Sequence, residues 1–398
     1  MAVDPRSRRA RLLVLGAGPA QLGLLRAARD ADVDTLVVDR DPGAPGFAYA
    51  TKRAVVSTED EVGVERLARA EAVEGLISPG ADWPVGVAAR VAERLGLPHP
   101  IDGATAVLVT NKQRQRARLA EAGAPQPVSR VLSAFEDGLP VPCVVKAPDR
   151  QGQRGLTLVQ TRAELPAAVA EAIDASRGGS CLVEELVDGP EVTVNAISRG
   201  GEFTPLTVTD RLTAEPPAFG VALAHVWPSE HDTGEVVRVA AAAVAALGIR
   251  NGPSYTQIRL GADGPRVVEV AARLGGGHDA ELCRAALGVD LNALAIDAAL
   301  GRTEGPRGSE PGGPPLPAAC VVFLVAPEGT LVAVDGVDEA LASAGVLDAI
   351  VYRRPGHVFG PLRRGADRAG AILATGPSRD DALARARRAA ACVRFRVA

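Results

Sequence analysis

No two of the five cysteines stand close together: Cys143, Cys181, Cys283, Cys320 and Cys392 are spread along the chain and form no CxxC pair. Each sits in an apolar or helical context, so buried, reduced thiols are expected, which points to the cytoplasm. No apolar run is long enough to span a bilayer. The first such run, LLVLG at 12–16, has the length of a strand, and the segment before it carries no secretion signal. Nor is there an excess of positive charge. The formal net charge of −4 disfavours a polyanion-binding surface, so neither a membrane nor nucleic acid is an expected partner. Beyond the first ten residues nothing reads as a disordered tail. What remains is 398 residues, 47% hydrophobic and 23% charged, enough for two or three packed units of a soluble globular protein.

The most informative stretch is 254–277, SYTQIRLGADGPRVVEVAARLGGG. Two β-prone runs flank the turn Gly261-Ala-Asp-Gly264, which predicts a hairpin. Alternation on each strand brings Gln257 and Glu269 to one face. One amide oxygen beside one carboxylate suits Mg²⁺, which takes its other ligands from water and phosphate. Arg273 and three glycines, Gly275, Gly276 and Gly277, follow and face an anion. An ordinary solvated hairpin would read the same in isolation, so the rest of the chain has to decide.

Residues 11–41 read strand, glycine turn, helix, strand, a parallel βαβ unit. The turn Gly16-Ala-Gly18-Pro-Ala-Gln21 half-matches a dinucleotide fingerprint, with Gln21 where the third glycine belongs and Asp39 where a ribose-binding acid is expected. Further α/β units follow. Trp83 and Pro84 read as a loop before a helix at 85–95, and His99 reads as a surface loop residue. Helix 111–122 carries Lys112, Arg114, Arg116 and Arg118, a pattern usual for a solvated face. At 142–159 a buried strand delivers Lys146, and a glycine-bearing loop with Gly152, Arg154 and Gly155 follows, suited to fold over phosphates. No Gly-Lys-Ser/Thr closes it, so it is not a Walker A loop. At 180–195 an apolar strand ends at Glu184 and Glu185, and Glu191 opens the next strand. Residues 305–317, GPRGSEPGGPPLP, read as an exposed linker.

As an ordered set, these segments resemble the ATP-grasp carboxylate-amine ligases, near the L-amino acid ligases and the phosphoribosylglycinamide-synthetase-like enzymes. Glu269-Val-Ala-Ala-Arg273 with its glycines matches the strand that closes their nucleotide site, with Ala271 where many members carry a metal-ligating Asn and Gln257 where an acid is commoner. The resemblance implies a mixed α/β and α+β ATP-grasp fold: a Rossmann-like domain at 1–108, an ATP-grasp domain at 109–304 with a lid at about 128–187, the linker, and a small α+β domain at 318–398.

It also implies an ADP-forming ligase that makes C–N bonds through an acyl phosphate, using ATP and Mg²⁺, with Mn²⁺ as the alternative ion. Lys112 and Lys146 would reach the phosphates under a lid containing Gly152, Arg154 and Gly155. Glu184, Glu185 and Val187 would face the base and Glu191 the ribose, with Gln257 and Glu269 on the metal. Arg211 would approach the terminal phosphate, and Arg273 with Gly275–Gly277 would hold the acyl phosphate or a substrate carboxylate. His225 lies in the same region. The EVAAR run is similar to the dipeptide-forming branch, so the expected partners are a carboxylate, here an amino acid, and an amine; the family commonly forms homodimers. Three readings compete: a purine-pathway ligase acting on a ribotide, a Rossmann NAD(P)-dependent oxidoreductase, and a nucleotide-binding regulator that has lost catalysis, suggested by Gln257 and Ala271.

Overall fold

A computed structural model describes residues 9–302 and 316–398. The chain begins with β1 (Arg11–Leu15), α1 (Leu22–Asp30), β2 (Asp34–Asp39), β3 (Lys52–Val55), α2 (Glu61–Ala70), β4 (Gly75–Ile77) and α3 (Asp82–Leu95). The strands pair in parallel in the order β3-β2-β1-β4. β1 and the middle of β2 carry unbroken apolar runs because helices cover both faces of the sheet, α1 on one side and α2 with α3 on the other. Trp83 and Pro84 lie inside the first turn of α3 and not ahead of it. Proline is tolerated there because the first helical N–H groups have no intrahelical acceptor.

The chain continues through α4 (Gly103–Val109) and α5 (Lys112–Glu121). The Asn111 side chain accepts from Arg114 N and caps α5, which fixes Lys112 at the first position of the helix. A separate antiparallel sheet then forms from β5 (Ser129–Leu132), β6 (Cys143–Lys146), β7 (Leu156–Val159) and β8 (Cys181–Glu185), in the order β5-β8-β6-β7, backed by α6 (Leu165–Ala175).

Next come β9 (Glu191–Arg199), β10 (Glu202–Thr213), β11 (Ala222–Trp227), α7 (Thr233–Ala246), β12 (Gly252–Gly261), β13 (Gly264–Ala271), α8 (Asp279–Leu287) and α9 (Leu291–Ala299). After the undescribed segment are β14 (Ala318–Leu324), β15 (Gly329–Asp335), α10 (Val337–Leu341), β16 (Val346–Val351), β17 (Val358–Phe359), β18 (Gly370–Gly376), α11 (Arg379–Cys392) and β19 (Arg394–Val397). Most of the expected linker, 305–317, falls outside the described residues.

One sheet of eight strands dominates, ordered β13-β12-β9-β10-β11-β14-β18-β16. The carboxyl-terminal segment therefore extends the central sheet and adds only the small sheet β17-β15-β19 beside it. Helix α9 packs against α1 in one apolar cluster, and α3 and α4 share a core with α7 and β13. From these sheets we propose a division into an amino-terminal unit, a lid at 129–185 and a central unit that absorbs the last strands.

His99 lies in the loop before α4 but is half-buried there, with Nδ1 2.8 Å from Ile101 O, and burial pushes its pKa down to about 4. Four cysteines are buried, Cys392 is partly so, and all five are free. Among the described residues no helix is long and apolar enough to cross a membrane.

Candidate active site

The hairpin forms as its sequence predicts. β12 and β13 pair with Gln257 opposite Glu269, and Gly261 opposite Gly264 closes a two-residue turn. Glu269 meets Lys112 from the start of α5: Nζ lies 2.9 Å from Glu269 Oε1 and donates to Arg150 O at 2.7 Å. Burial opposes both charges. The pairing outweighs it, holding Lys112 above and Glu269 below its ordinary range.

Between the lid sheet and the central sheet lies a chamber with Lys146, Glu184, Glu185, Val187 and Glu191 in its wall. Lys146 Nζ is 2.8 Å from Glu184 Oε2, and Arg116 Nε is 2.8 Å from Glu184 Oε1. All three side chains are 4–5% exposed. Arg116 is thus a buried counter-ion and not part of a solvated helix face. Burial pushes Lys146 down to about 8 despite Glu184, with Arg116 and Lys112 adding to the effect. Against its own desolvation, Glu184 is held at about 2 by Lys146 and Arg116. Glu185 is exposed at the mouth of the chamber. Glu191 is buried and faces Arg211 Nη1 at 2.6 Å and Arg259 Nε at 3.5 Å. Arg211 also donates to Gly220 O at 2.9 Å, so its guanidinium is anchored on the central sheet.

The loop between β6 and β7 bridges three parts of the molecule. Gln151 Oε1 accepts from Asp82 N at the start of α3. Gln153, in the left-handed region at φ 63°, accepts from Gly365 N at 3.1 Å. Arg177, just beyond α6, pairs with Glu59 at 2.8 Å and lies 4.0 Å above the Trp83 ring. Arg154 is exposed, and its side chain makes only a 3.4 Å contact to Gln151 O among the described residues.

A second cavity, of about 320 Å³, opens on the other side of Glu269 and is walled by the amino-terminal unit, the glycine run and the carboxyl-terminal segment. Arg273 donates from Nε to Asp82 Oδ1 at 2.5 Å and from Nη1 to Leu274 O at 2.8 Å. Two of the three glycines, Gly275 and Gly277, allow close approach. A Cβ on Gly275 would lie 2.1 Å from Asp279 Oδ2, and one on Gly277 would lie 3.0 Å from the His225 ring. Gly277 N donates to Asp279 Oδ2 at 3.1 Å, so that amide is spent within the protein. His225 Nδ1 stands 2.9 Å from Asp279 Oδ1, both fully buried. Desolvation of Asp279 is outweighed by His225, which keeps it at about 2. Tyr255, Tyr352, Arg353 and Arg368 complete the wall. Neither Arg353 nor Arg368 has a carboxylate within ion-pair distance among the described residues; Arg368 donates to Gly365 O at 2.8 Å and stacks 3.7 Å from the Phe323 ring. A third pocket reaches Lys112 and Glu269 from between Trp83 and Arg154. Gln151 and Glu269 line all three cavities, so Glu269 stands where they meet.

The sequence did not bring out Asp82, Asp279, Tyr352 or Arg368 as parts of this region; Arg353, at a strand end that could face a substrate, reads there as a surface residue, as Arg116 does on its helix, whereas the fold places both at the site. For the first four the only signal was proximity in the fold.

The dinucleotide alternative fares poorly. Asp39 Oδ2 accepts from Ala17 N at 2.8 Å and Oδ1 from Asp41 N at 2.9 Å, which leaves the carboxylate engaged by the chain's own backbone. Gln21 folds over the glycine turn, its side chain 3.1 Å from where a Gly16 Cβ would stand.

A profile of the ATP-grasp domain matches residues 139–281, which hold three of the four lid strands and the hairpin, and one for the L-amino acid ligase C-terminal domain 2 matches 322–398. The chain is an ATP-grasp ligase. A formate-dependent phosphoribosylglycinamide formyltransferase of Burkholderia lata is 28% identical to this ligase over 96% of the chain and 95% of the relative. A protein of Sinorhizobium fredii without an assigned function is 29% identical over 95% of the chain and 80% of the relative. Among solved structures, the L-amino acid ligase of Bacillus licheniformis superposes with a TM-score of 0.83 at 23% identity, covering 98% of this chain and all of that one. The phosphoribosylglycinamide synthetase of Anaerococcus prevotii superposes at 0.77 and 16% identity, with the same coverage. These two likenesses concern the fold. ATP with a divalent metal is the general equipment of ATP-grasp ligases. The donor set here fits such an ion, since Glu269 offers one carboxylate and Gln257, with no hydrogen bond to its side chain among the described residues, offers an amide oxygen.

Proposed function

We propose that this ligase joins the carboxylate of an amino acid to an amine, with ADP and orthophosphate as products and an acyl phosphate between. The observation that carries the proposal is the position of Glu269. It lies between a chamber lined by lysines and by the acids at the end of β8 and the start of β9, and a cavity rich in guanidinium groups, so a phosphoryl group can pass from one to the other there. Lys146 and Lys112 hold the transferring phosphates, Glu185 and Val187 border the base, and Glu191 accepts from the ribose hydroxyls. Gln257 and Glu269 would hold Mg²⁺, which offsets phosphate charge when bound. Arg273, oriented by Asp82, holds the carboxylate in line, and phosphorylation there makes the acyl carbon open to attack. No side-chain nucleophile is needed, because positioning and charge stabilisation supply most of the rate in phosphoryl transfer.

A second reading is a ligase acting on a ribotide. It is favoured by the uncompensated Arg353 and Arg368, which suit a phosphate monoester as well as a carboxylate. One experiment separates the two: ADP release measured over a matrix of amino acids and amines, with glycinamide and aminoimidazole ribotides as further arms. Release that requires both an amino acid and an amine supports the proposal. Turnover restricted to the ribotides supports the second reading, and no ADP in any arm removes both.

A further inference from the structure

One cluster in the wall of the larger cavity takes no part in the chemistry above. Tyr352, just past β16, points its hydroxyl at His278 Nε2, 2.6 Å away, with the two rings stacked at 5.8 Å and 26°. His278 Nδ1 is 3.7 Å from Glu281 Oε2, and Asn292 donates to Glu281 Oε1 at 3.2 Å. The packing that places Glu281 is tight: a Cβ on Gly23 of α1 would lie 1.5 Å from Glu281 Oε1, so only glycine lets the carboxylate sit there. His278 itself is held at φ 60°, a conformation uncommon outside glycine and asparagine. Three elements distant in sequence therefore combine to orient one phenol at the cavity wall.

The amine substrate supplies the need for such a group. At neutral pH an aliphatic amine is an ammonium ion with no lone pair, and it must lose a proton to attack an acyl phosphate. We propose that Tyr352 is the catalytic residue that takes this proton, with His278 and Glu281 as positioning residues that receive and balance it. The inference rests on the ligase reading above. As the C–N bond forms, an ammonium proton moves to Tyr352 Oη while the phenolic proton moves to His278 Nε2. The acyl carbon–oxygen bond to phosphate breaks, orthophosphate leaves with the electron pair and takes the second nitrogen proton to become hydrogen phosphate, and the imidazolium faces the Glu281 carboxylate. Burial raises the phenol pKa, which keeps Tyr352 a protonated donor to Nε2 and leaves Nδ1–H for Glu281. Burial of Glu281 is outweighed by His278, which holds it ionised. Arg353, Arg368 and Asp348 also face the phenol. The other imidazole in the wall, His225, has Nδ1 on Asp279 and its Nε2 against Gly277.

The test compares two nucleophiles, using the full chain and the acid found active in the matrix. One is the coupling amine; the other is hydroxylamine, which is largely unprotonated at neutral pH and needs no base. For Tyr352→Phe, which keeps the ring stack, and His278→Asn, which tolerates the left-handed backbone, kcat with the amine should fall ~100-fold, the contribution usual for general base catalysis. Hydroxamate formation should change little, and Glu281→Gln should show a smaller loss of the same pattern. Equal losses with both nucleophiles would mean a packing or binding role, and unchanged amine turnover would mean no role; either overturns the proposal. Failure of the wild-type chain to form ADP with any acid would instead remove the ligase reading beneath it.

Discussion

The two chambers that meet at Glu269 differ in how their buried charges are paired. On the lid side the buried cations are matched: Lys146 and Arg116 share Glu184, Lys112 holds Glu269, and Arg211 and Arg259 share Glu191. On the other side Arg353 and Arg368 have no acid partner among the described residues, and two imidazoles are instead fixed by carboxylates. The first chamber holds its own charges in pairs, and in the proposed function a polyphosphate would exchange for the acids. The second is short of negative charge, the state expected of a site whose ligand supplies it.

The sharpest way to break this comparison is at the shared residue. Glu269→Gln should lower kcat for ADP formation by ~10³-fold, the scale seen when a group stabilising transition-state charge is removed. It should leave the Lys146–Glu184–Arg116 cluster and the fold intact by circular dichroism. Activity within a few-fold of wild type would show that the chambers do not exchange a phosphoryl group there.

The next effect concerns stability. Glu184→Ala strands two buried cations and should cost about 3 kcal/mol in urea unfolding, the lower end for breaking a buried pair from one side. Because Glu184 is held at about 2, its contribution is present above the ordinary carboxylate range and is lost as pH falls through about 2. Removing an unpaired guanidinium with Arg368→Gln should cost far less, so similar losses would erase the contrast between the chambers.

How much of this the sequence disclosed follows from the range of each contact. The hairpin was legible because its turn and alternating strands lie within one short stretch, and the Gln257–Glu269 register follows from them. Lys146, Glu184, Glu185 and Glu191 were legible as strand ends. Their mutual pairing was not: Arg116 reaches Glu184 across 68 residues and Arg273 reaches Asp82 across 191. Nothing in local periodicity distinguishes Arg116, a buried counter-ion, from Arg114 one turn-face away, which is exposed. The carboxyl-terminal segment read as its own unit because its strands alternate normally. Only the tertiary pairing of β14 with β11 reveals that they continue the central sheet.

A third test titrates the nucleotide side alone. Lys146 sits at about 8 in the free protein, so it loses its proton as pH rises through that value. Phosphate binding favours the charged form, so nucleotide binding should take up a proton near pH 8, and affinity should fall above it. Calorimetry in buffers of different ionisation enthalpy measures that uptake, and Lys146→Arg should abolish it. The smallest effect is at the lid. Glu59 is 43% exposed, so its ion pair with Arg177 contributes little beyond the stacking on Trp83. Arg177→Ala should raise KM for ATP by less than about 10-fold, the combined scale of a surface pair and a cation–π contact, with the unfolding midpoint unmoved.

The measurement that bears most directly on the central claim follows an oxygen atom. With the amino-acid carboxylate labelled with ¹⁸O, transfer of the γ-phosphoryl group to that carboxylate at Glu269 predicts one labelled oxygen in each orthophosphate released, read by ³¹P NMR. Orthophosphate free of label, or label appearing in AMP, would contradict an acyl phosphate formed where the two chambers meet.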